Sequence, residues 1–186
     1  MNRRRCAWVD GSEIYKNYHD NEWGKPLHDD NMLFELLCLE GFQAGLSWIT
    51  VLKKREDFCK AFDGFNPQVV ASYDDCKVAE LLQNEKIIRH KGKILAAINN
   101  ARLFLEVQNK FGSFDEFIWG YVNGQPILNH FSKISEVPAK TELSERISKD
   151  LRKMGFKFVG ATIIYSFMQA IGMVNDHTKD CFLYKE

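Results

Sequence analysis

The sequence lacks the features that mark several special classes of protein. No apolar run approaches the roughly 20 residues that a membrane-spanning helix needs. Only 4 of the 186 residues are proline, and there is no repeated or compositionally biased segment. The start of the chain, MNRRRCAWVDG, is positively charged but lacks the apolar stretch of a secretory signal. These absences indicate an ordinary globular protein of one domain, which we expect to be cytoplasmic and free of membrane contact.

An excess of charge of either sign is also missing, because 25 basic and 25 acidic residues give a net charge of zero. This balance neither supports nor excludes a polyanionic partner. The basic residues do cluster, at Arg3–Arg5, at Lys53–Arg55 and around His90. Such clusters are typical of solvated helix faces, so alone they add little support for a phosphate-binding surface.

Strand-like alternation is missing as well, whereas helical periodicity runs through most of the chain. Ile94, Ile98, Ala101 and Leu105 fall on one helix face and predict a helix that ends near Gly112. Further helices are predicted at about 30–40, 47–61, 74–83, 142–153 and 160–171. The predicted fold class is therefore all-α.

Two helix starts and one long connection are marked by local signals. Asn66 before Pro67 has the pattern of an N-cap followed by a first-turn proline, and Ser113 begins the capping-box pattern SFDE. Residues 122–140 contain turn residues and two prolines. We predict that they form the longest irregular connection.

Five cysteines in a cytoplasmic protein should stay reduced. Cys38, Cys59 and Cys76 lie beside apolar residues in helical stretches, and we predict that they are buried thiols. His28 and His130 are predicted to lie at the surface or in loops.

The remaining two cysteines, near the ends of the chain, combine with two histidines. His177 and Cys181 are four residues apart, which would place them on one face of a helical turn, and Cys6 lies close before His19. Together they form a Cys2His2 set that suits zinc, and four protein ligands leave no open position for a water molecule. Such a zinc ion, one per chain, would be structural and would join the two ends of the chain. On spacing alone, the alternative that the four residues are unrelated is favoured.

Several long strings decide between these alternatives by resemblance. YHDNEWG, LEGFQAGLSWITVLKKRE, IIRHKGKI, GFKFVGATIIYSFMQAIG and VNDH closely resemble the DNA-3-methyladenine glycosylase I family. The resemblance implies a helical protein, related to the helix-hairpin-helix glycosylases, that excises 3-methyladenine from alkylated DNA. It also implies one structural zinc near the termini, with the ligands Cys6, His19, His177 and Cys181. Residues 1–24 and 172–186 would then form a zinc-stapled lobe on a helical core of residues 25–171, within a single glycosylase domain.

Two departures from the family pattern stand out. Arg3–Arg5 are additional basic residues at the start, and Phe42 stands in LEGFQAG where a polar residue is expected. Phe42 puts in question whatever contact a polar side chain at this position would make.

The family chemistry suits the aromatic residues near the start of the chain. 3-Methyladenine is a cation while it is attached to the sugar, so an electron-rich aromatic pocket can stack on the flipped base and attract its charge. The resemblance places a base-binding pocket among five aromatic side chains: Trp8, Tyr15, Tyr18, Trp23 and Trp48. For Trp23, a place in the hydrophobic core is an equally good interpretation.

Glu40 is the carboxylate that the sequence singles out for catalysis. It follows the apolar stretch LFELLCL and precedes Gly41, so it would sit at a helix C-terminus, where the dipole disfavours negative charge. A solvated glutamate is the ordinary alternative. The resemblance assigns the matching glutamate to hydrogen bonding with the excised base, and its charge would stabilise the oxocarbenium-like transition state.

The string GFKFVG lies between two predicted helices and is similar to the hairpin that binds a DNA phosphate in the wider superfamily. We predict DNA contacts from Lys157, Val159 and Gly160, where backbone N–H groups precede the second helix. Thr162 falls where lyase members carry a Schiff-base lysine, which favours a monofunctional enzyme with water as the nucleophile. Asp176 adjoins His177, and we predict that it orients that ligand.

Opening a duplex requires a side chain to fill the space that the flipped base leaves. Leu46, close to Trp48, is predicted to be this apolar wedge, with an ordinary core leucine as the alternative. The expected partners are alkylated double-stranded DNA and free 3-methyladenine as the product, and the expected state is a monomer.

Two further functions are alternatives to a glycosylase. One is a zinc-stabilised nucleic-acid-binding module without catalysis, which release of free base from methylated DNA would exclude. The other is a zinc hydrolase, which needs an open coordination position that a full Cys2His2 set does not offer.

Overall fold

The computed structural model describes residues 3–186. This part of the chain folds into ten α-helices, three single-turn 3-10 helices and two strands of two residues each. The helices are α1 (Glu13–Asn21), α2 (Asp30–Gln43), α3 (Trp48–Leu52), α4 (Arg55–Ala61), α5 (Pro67–Ala71), α6 (Asp75–Gln83), α7 (Lys91–Phe111), α8 (Phe114–Trp119), α9 (Glu142–Met154) and α10 (Ala161–Ala170). The 3-10 turns are Asp63–Phe65, Gly120–Val122 and Ile134–Glu136, and the strands are β1 (Ile127–Leu128) and β2 (Val174–Asn175).

The predicted helix starts are confirmed by their caps. The Asn66 side chain accepts hydrogen bonds from the backbone of the first turn of α5, and Ser113 Oγ accepts from Glu116 N at 2.9 Å. His90 is the N-cap of α7, since its Nδ1 accepts from Lys93 N at 3.2 Å. The sequence pattern indicated a solvated helix face for the basic residues around His90. It did not predict that His90 caps a helix.

Two parts of the prediction were wrong in detail. The predicted helix 47–61 is two helices, α3 and α4, with a turn at Lys53 and Lys54. Lysine is a good helix former, so periodicity gives no sign of this break. Tertiary contacts support the break, because Lys54 Nζ donates to the carbonyl oxygens of Glu85 and Lys86.

The connection 122–140 contains the strand β1, which pairs in parallel with β2. A ladder of two residues is too short to produce an alternating pattern in the sequence.

The main core lies between α2, α7 and α10, and its largest members are fully buried phenylalanines. A second, smaller hydrophobic cluster joins the two ends of the chain: Cys6, Tyr18, Trp23, Leu52 and Cys181. This cluster lies where the zinc-stapled lobe is predicted, although residues 1 and 2 of that lobe lie outside the described residues. Leu52 belongs to α3, so the terminal segments also pack against the helical core.

Of the three predicted buried thiols, Cys38 is buried and Cys59 is partly buried, but Cys76 is exposed. Cys76 lies near the start of α6, on the solvent side of the helix. His28 and His130 are exposed, as predicted. Within residues 3–186, no helix combines the length and the apolar character needed to cross a bilayer.

Candidate functional site

A pocket of about 380 Å³ opens between the terminal segment, α2, α3 and α10. It brings together all five of the aromatic side chains named from the sequence, and Glu40 with them. Tyr15 and Tyr18 come from α1, Trp48 is the first residue of α3, and Trp8 lies in the loop before α1. The side chains that face the pocket are those of Trp8, Tyr15, Tyr18, Trp23, Glu40, Gln43, Trp48, Ile134, Val137, Pro138, Ala139, Thr162, Tyr165, Ser166 and Gln169.

The aromatic wall is held together by edge-on packing. The Trp8 ring packs on Tyr15 with centroids 5.4 Å apart and on Trp23 at 5.1 Å. Tyr18 packs on Trp48 at 5.5 Å. Trp23 is 7% exposed and lies in the terminal cluster as well as at the pocket, so it has both a core and a pocket position.

Several polar atoms of the wall have no partner in the described part of the chain. The indole Nε1 atoms of Trp8 and Trp48 are buried without an acceptor, and Glu40 Oε2 is buried without a donor. Buried polar groups in proteins are nearly always paired. The pocket is therefore suited to a ligand that accepts from indole N–H groups and donates to a carboxylate.

Glu40 lies in the last turn of α2, which continues to Gln43, one turn further than the sequence predicted. Its side chain is only 3% exposed. Burial raises the pKa of the Glu40 carboxyl to about 8, which means that its surroundings in the protein favour the neutral form at neutral pH. A cationic ligand would reverse this preference, because it stabilises the carboxylate.

Two walls of the pocket were missed from the sequence. Thr162, Ser166 and Gln169 fall at i, i+4 and i+7 and form a polar stripe on the apolar helix α10. This spacing was a usable signal for a helix face turned to a site. The other missed wall comes from residues 134–139 of the irregular connection, which carry no local pattern that would indicate a pocket.

Asp176 does not orient His177, so that prediction was wrong. Its carboxylate accepts from Asn129 Nδ2 at 2.6 Å, from Tyr165 Oη at 2.7 Å and from Gln169 Nε2 at 2.8 Å. Successive side chains of an extended segment point to opposite sides, so Asp176 turns away from the ligand cluster. It instead fixes Gln169 and Tyr165 at the pocket.

The structure brings the four predicted metal ligands together. The ligand atoms of Cys6, His19, His177 and Cys181 all lie within 4.8 Å of one another, and all four residues are buried. His177 and Cys181 lie in a turn rather than on a helix, with Cys181 N donating to Thr178 O at 2.8 Å. The predicted helical turn is here a turn outside any helix, and it brings the same two side chains together.

Hydrogen bonds orient both imidazoles of this cluster. His19 Nδ1 contacts Asp20 Oδ1 at 2.8 Å, and His177 Nδ1 contacts Asn175 Oδ1 at 2.8 Å. Nε2 of His19 is 3.3 Å from Cys181 Sγ, and Nε2 of His177 is buried without a partner in the described chain. Two thiols and two imidazoles are a donor set that zinc prefers, and the 3.3 Å between His19 Nε2 and Cys181 Sγ is a separation that tetrahedral zinc bonds of about 2.0–2.3 Å allow.

The additional arginines at the start of the chain have partners in this region. Arg5 donates through Nε and Nη2 to the two oxygens of Asp20, at 2.8 and 2.6 Å. These bonds hold the pKa of Asp20 at about 2. Arg4 pairs with Asp180 at 2.7 Å. Arg5 therefore supports the residue that orients His19.

The predicted DNA-contacting residues occupy two neighbouring loops. Leu46 is 42% exposed in the loop after α2, so the alternative of a core leucine is excluded. In the turn between α9 and α10, Lys157 is exposed and Gly160 is the N-cap of α10. Val159 is 2% exposed and its carbonyl accepts from Ser148 Oγ, so its side chain serves the core.

Phe42 points away from the pocket. It is 1% exposed, and its ring packs on Phe58 and Phe62 with centroids 4.6 and 5.7 Å apart. The neighbouring Gln43 is the polar side chain that reaches the pocket. The departure at position 42 therefore changes the core and leaves the pocket wall unaltered.

Comparison with known proteins agrees with this arrangement. A model of the methyladenine glycosylase family matches residues 8–184, and the chain belongs to this family. Within it, the chain is 52% identical to DNA-3-methyladenine glycosylase 1 of Escherichia coli strain K12 over 180 residues, which cover 97% of this chain and 96% of that protein.

Solved structures are similarly close. A crystal structure of a 3-methyladenine DNA glycosylase I matches with a TM-score of 0.95 and 50% identity, covering 98% of this chain and 100% of that one. A variant of 3-methyladenine DNA glycosylase I in complex with 3-methyladenine matches with a TM-score of 0.94 and 38% identity, over 98% of both chains.

Proposed function

We propose that this protein removes 3-methyladenine from alkylated double-stranded DNA by hydrolysis of the N-glycosidic bond. The observation that carries the proposal is the aromatic pocket with one buried carboxyl group, Glu40, and unpaired indole donors. Membership of the methyladenine glycosylase family and the similarity to a relative in complex with 3-methyladenine support it.

Recognition depends on charge and on shape. The methylated base is a cation while it is attached to deoxyribose, so aromatic faces attract it, by about 1–2 kcal/mol per desolvated contact. The base would be flipped out of the duplex, since a base that is stacked and paired in the duplex cannot enter a protein pocket. An unmodified adenine lacks the positive charge, so it would gain neither the attraction to the aromatic faces nor the charge pairing with the Glu40 carboxylate.

The chemical step is that of a monofunctional glycosylase. As the bond from C1′ to the base nitrogen breaks, its electron pair goes to the base and positive charge develops on the sugar, which a nearby carboxylate stabilises. Water then adds to C1′ and releases a proton to the solvent, which leaves an abasic site. Thr162 lines the pocket where a lyase would need an amine, and threonine cannot form a Schiff base.

The grip on DNA comes from α9, the turn 155–160 and α10, which we interpret as a helix-hairpin-helix. Gly160 caps α10 without a side chain, so the first N–H groups of that helix are available to a phosphate. Lys149 and Arg152 line the groove beside this turn. We assign Leu46 as the wedge that fills the space left in the base stack by the flipped base.

Zinc would be held by Cys6, His19, His177 and Cys181, and its chemistry would be structural, because four protein ligands complete a tetrahedron. The cluster joins the segment before α1 to the segment after β2. It would thereby hold Trp8 and Trp23, which lie next to it, at the pocket.

The proposal is tested by incubating the protein with methylated duplex DNA and separating the products. We expect free 3-methyladenine and an intact strand with an abasic site, and no adduct after borohydride reduction. Binding of the DNA without release of base would favour the alternative, a nucleic-acid-binding module. A borohydride-trapped adduct would show that a lysine acts as nucleophile and would overturn the monofunctional step.

A further inference from the structure

Lys93 is a buried cation whose acceptors are unusual. Its residue surface is 7% exposed, although lysine is rarely buried. In the described chain its ammonium group donates to two backbone carbonyl oxygens, of Phe42 at 2.8 Å and of Ala44 at 2.6 Å. These carbonyls belong to the end of α2, some 50 residues earlier in the sequence.

The helix that carries Lys93 does not explain its position. Lys93 is the third residue of α7, and a helix N-terminus disfavours positive charge. Burial in addition lowers the pKa of its ammonium group. Both effects oppose a cation here, so the favourable contribution has to come from α2.

A cation next to the C-terminus of α2 stabilises that helix end. The last carbonyl groups of a helix have no donor within the helix, and the dipole there is negative. The last turn of α2 contains no basic residue of its own. Lys93 therefore supplies from α7 the charge that this helix end lacks.

Two elements of the proposed site begin at this helix end. Glu40 lies in the last turn of α2, two residues before the first carbonyl that Lys93 holds. Leu46 lies two residues after the second carbonyl, in an exposed loop whose Gly45 has a φ of 79°. Lys93 thus holds the short backbone segment between the pocket carboxyl and the exposed leucine.

The same helix also fixes the second DNA-facing loop. Asn100, two turns further along α7, donates through Nδ2 to Lys157 O at 2.9 Å and accepts from Lys157 N at 2.8 Å. The turn between α9 and α10 and the loop after α2 are thereby attached to one rigid element.

We infer that Lys93 is a positioning residue that holds the Leu46 loop at the rim of the Glu40 pocket and so couples duplex opening to capture of the base. The inference rests on the proposed function. It assigns to this lysine no contact with the base or with DNA.

The first experiment compares wild type, Lys93→Met and Lys110→Met. Methionine keeps the length of the side chain and removes the charge, and Lys110 is an exposed lysine at the other end of α7. Single-turnover excision is measured on methylated duplex and on methylated single-stranded DNA, and binding of free 3-methyladenine by tryptophan fluorescence. For Lys93→Met we expect about a 10- to 100-fold loss on duplex only, since loop misplacement has effects of this size. Lys110→Met should behave as wild type.

A double-mutant cycle with Leu46→Ala identifies the route of the effect. If Lys93 acts through the loop, the double variant has the same duplex activity as the less active of the two single variants. If the fold-losses of the two single variants multiply in the double variant, the inference is overturned. It is also overturned if Lys93→Met loses as much activity on single strands, and as much binding of free base, as it loses activity on duplex DNA. If Lys93→Met does not fold, Lys93→Gln replaces it, and failure of both would show a role in overall stability instead.

A measurement without DNA separates this inference from the proposed function. Amide hydrogen exchange at residues 44–47 should be faster in Lys93→Met than in wild type, with exchange in α10 unchanged. Unchanged exchange at the loop would overturn the role of Lys93. If the wild-type protein releases no base from either DNA, the proposed function fails, while the exchange result still decides whether Lys93 holds the loop.

Discussion

Glu40 has two properties that conflict with each other. Its side chain is almost fully buried beside the aromatic rings of the pocket, and this burial raises the pKa of its carboxyl to about 8. Its proposed role needs the carboxylate. A cationic base resolves the conflict, because it supplies the charge that the pocket itself does not, and selectivity for a charged base then follows from the burial of a single acid.

The proposed role of Glu40 predicts graded losses of activity. Glu40→Gln keeps the shape and removes the charge, so excision and binding of free 3-methyladenine should weaken. The loss should stay well below the roughly 10⁴-fold of a catalytic triad residue, since the cationic base is already a good leaving group. Glu40→Ala should be worse, because donors of the base would stay unpaired in a dry pocket.

Single-turnover excision from methylated DNA by both variants measures this, with Glu106→Gln, an exposed glutamate of α7, as the control. Each protein is first checked for folding and zinc content. Equal rates in wild type, Glu40→Gln and Glu40→Ala would remove Glu40 from the site and leave selectivity to the aromatic rings.

Glu40 also predicts how stability depends on pH. The unfolded chain releases this proton near pH 4.5, and the folded chain retains it up to about pH 8. The contribution of Glu40 is thus fully present below pH 4.5 and is lost progressively, at about 1.4 kcal/mol per pH unit, until the pH reaches the folded-state pKa of about 8.

Glu40→Gln removes this titration. We expect the variant to gain stability relative to wild type between pH 5 and pH 8, by a few kcal/mol in order of magnitude. Urea unfolding of both proteins at pH 5, 6.5 and 8 gives the difference, in which the titrations common to both proteins cancel. A difference that stays constant across this range would show that Glu40 is ionised in the folded protein.

Leu46 predicts a separation of activity from stability. A core leucine would cost about 2–5 kcal/mol when replaced by alanine. Leu46 is 42% exposed, so Leu46→Ala should cost no more than about 0.5 kcal/mol. Activity on duplex DNA should nevertheless fall, whereas activity on single strands should be retained. Thermal unfolding and excision from both substrates test this, and equal loss on both substrates would exclude a wedge.

At the scale of elements, the sequence predicted best those helices whose signals are local. The face of α7 that carries Ile94, Ile98 and Ala101 is buried, and the caps of α5 and α8 lie where expected. The break between α3 and α4 was missed because two lysines carry no breaking signal. It depends on contacts with a distant turn, which a local pattern does not contain.

The walls of the pocket likewise differ in whether a local sequence signal predicts them. Its aromatic wall was predicted because aromatic residues crowd near the start of the chain and resemble a family string. The wall from α10 was missed although its polar residues recur at helical spacing. The wall from residues 134–139 could not be predicted, since only the tertiary fold brings that connection to Glu40.

The turn between α9 and α10 predicts a purely electrostatic effect. Arg152 is exposed beside Gly160, with its Nη2 about 3.2 Å from the position that a Cβ of Gly160 would take. If it contacts a phosphate, Arg152→Ala should weaken DNA binding uniformly across sequences. The slope of log K against log salt should become shallower by about 1.

Binding to unmethylated duplexes between 50 and 200 mM salt measures this slope. Lys110→Ala is the control for the loss of one charge, since it lies ~15 Å along α7 from Asn100, the residue that binds the turn. Excision at saturating enzyme should be little changed in Arg152→Ala. An unchanged slope would place the phosphate contacts elsewhere on the surface.

At the scale of the whole molecule, the two ends of the chain are held together by groups of different kinds. Phe182 N donates to the carbonyl oxygen of Arg4 at 2.9 Å, the terminal cluster buries Trp23 and Leu52, and the Cys2His2 set shares Cys6 and Cys181 with that cluster. The pocket lies between these terminal segments and the helical core. Its aromatic wall therefore depends on closure of the chain, which α2, α7 and α10 do not supply.

This closure predicts the effect of removing a metal ligand. Purified protein should contain about one zinc per chain, and Cys181→Ser should lower both zinc content and melting temperature, because metal binding to a folded site stabilises the fold. The intrinsic excision rate of the molecules that stay folded should fall less than stability does, since the metal is proposed to hold the terminal segments and not to act on the bond.

Cys76→Ser, at an exposed cysteine, is the matched control. Metal analysis, thermal unfolding and active-site-normalised excision are compared for the three proteins. A chelated protein that keeps its melting temperature and full activity would refute the structural zinc, whereas a rate that falls to zero in fully folded Cys181→Ser would give the metal a direct part in the chemistry.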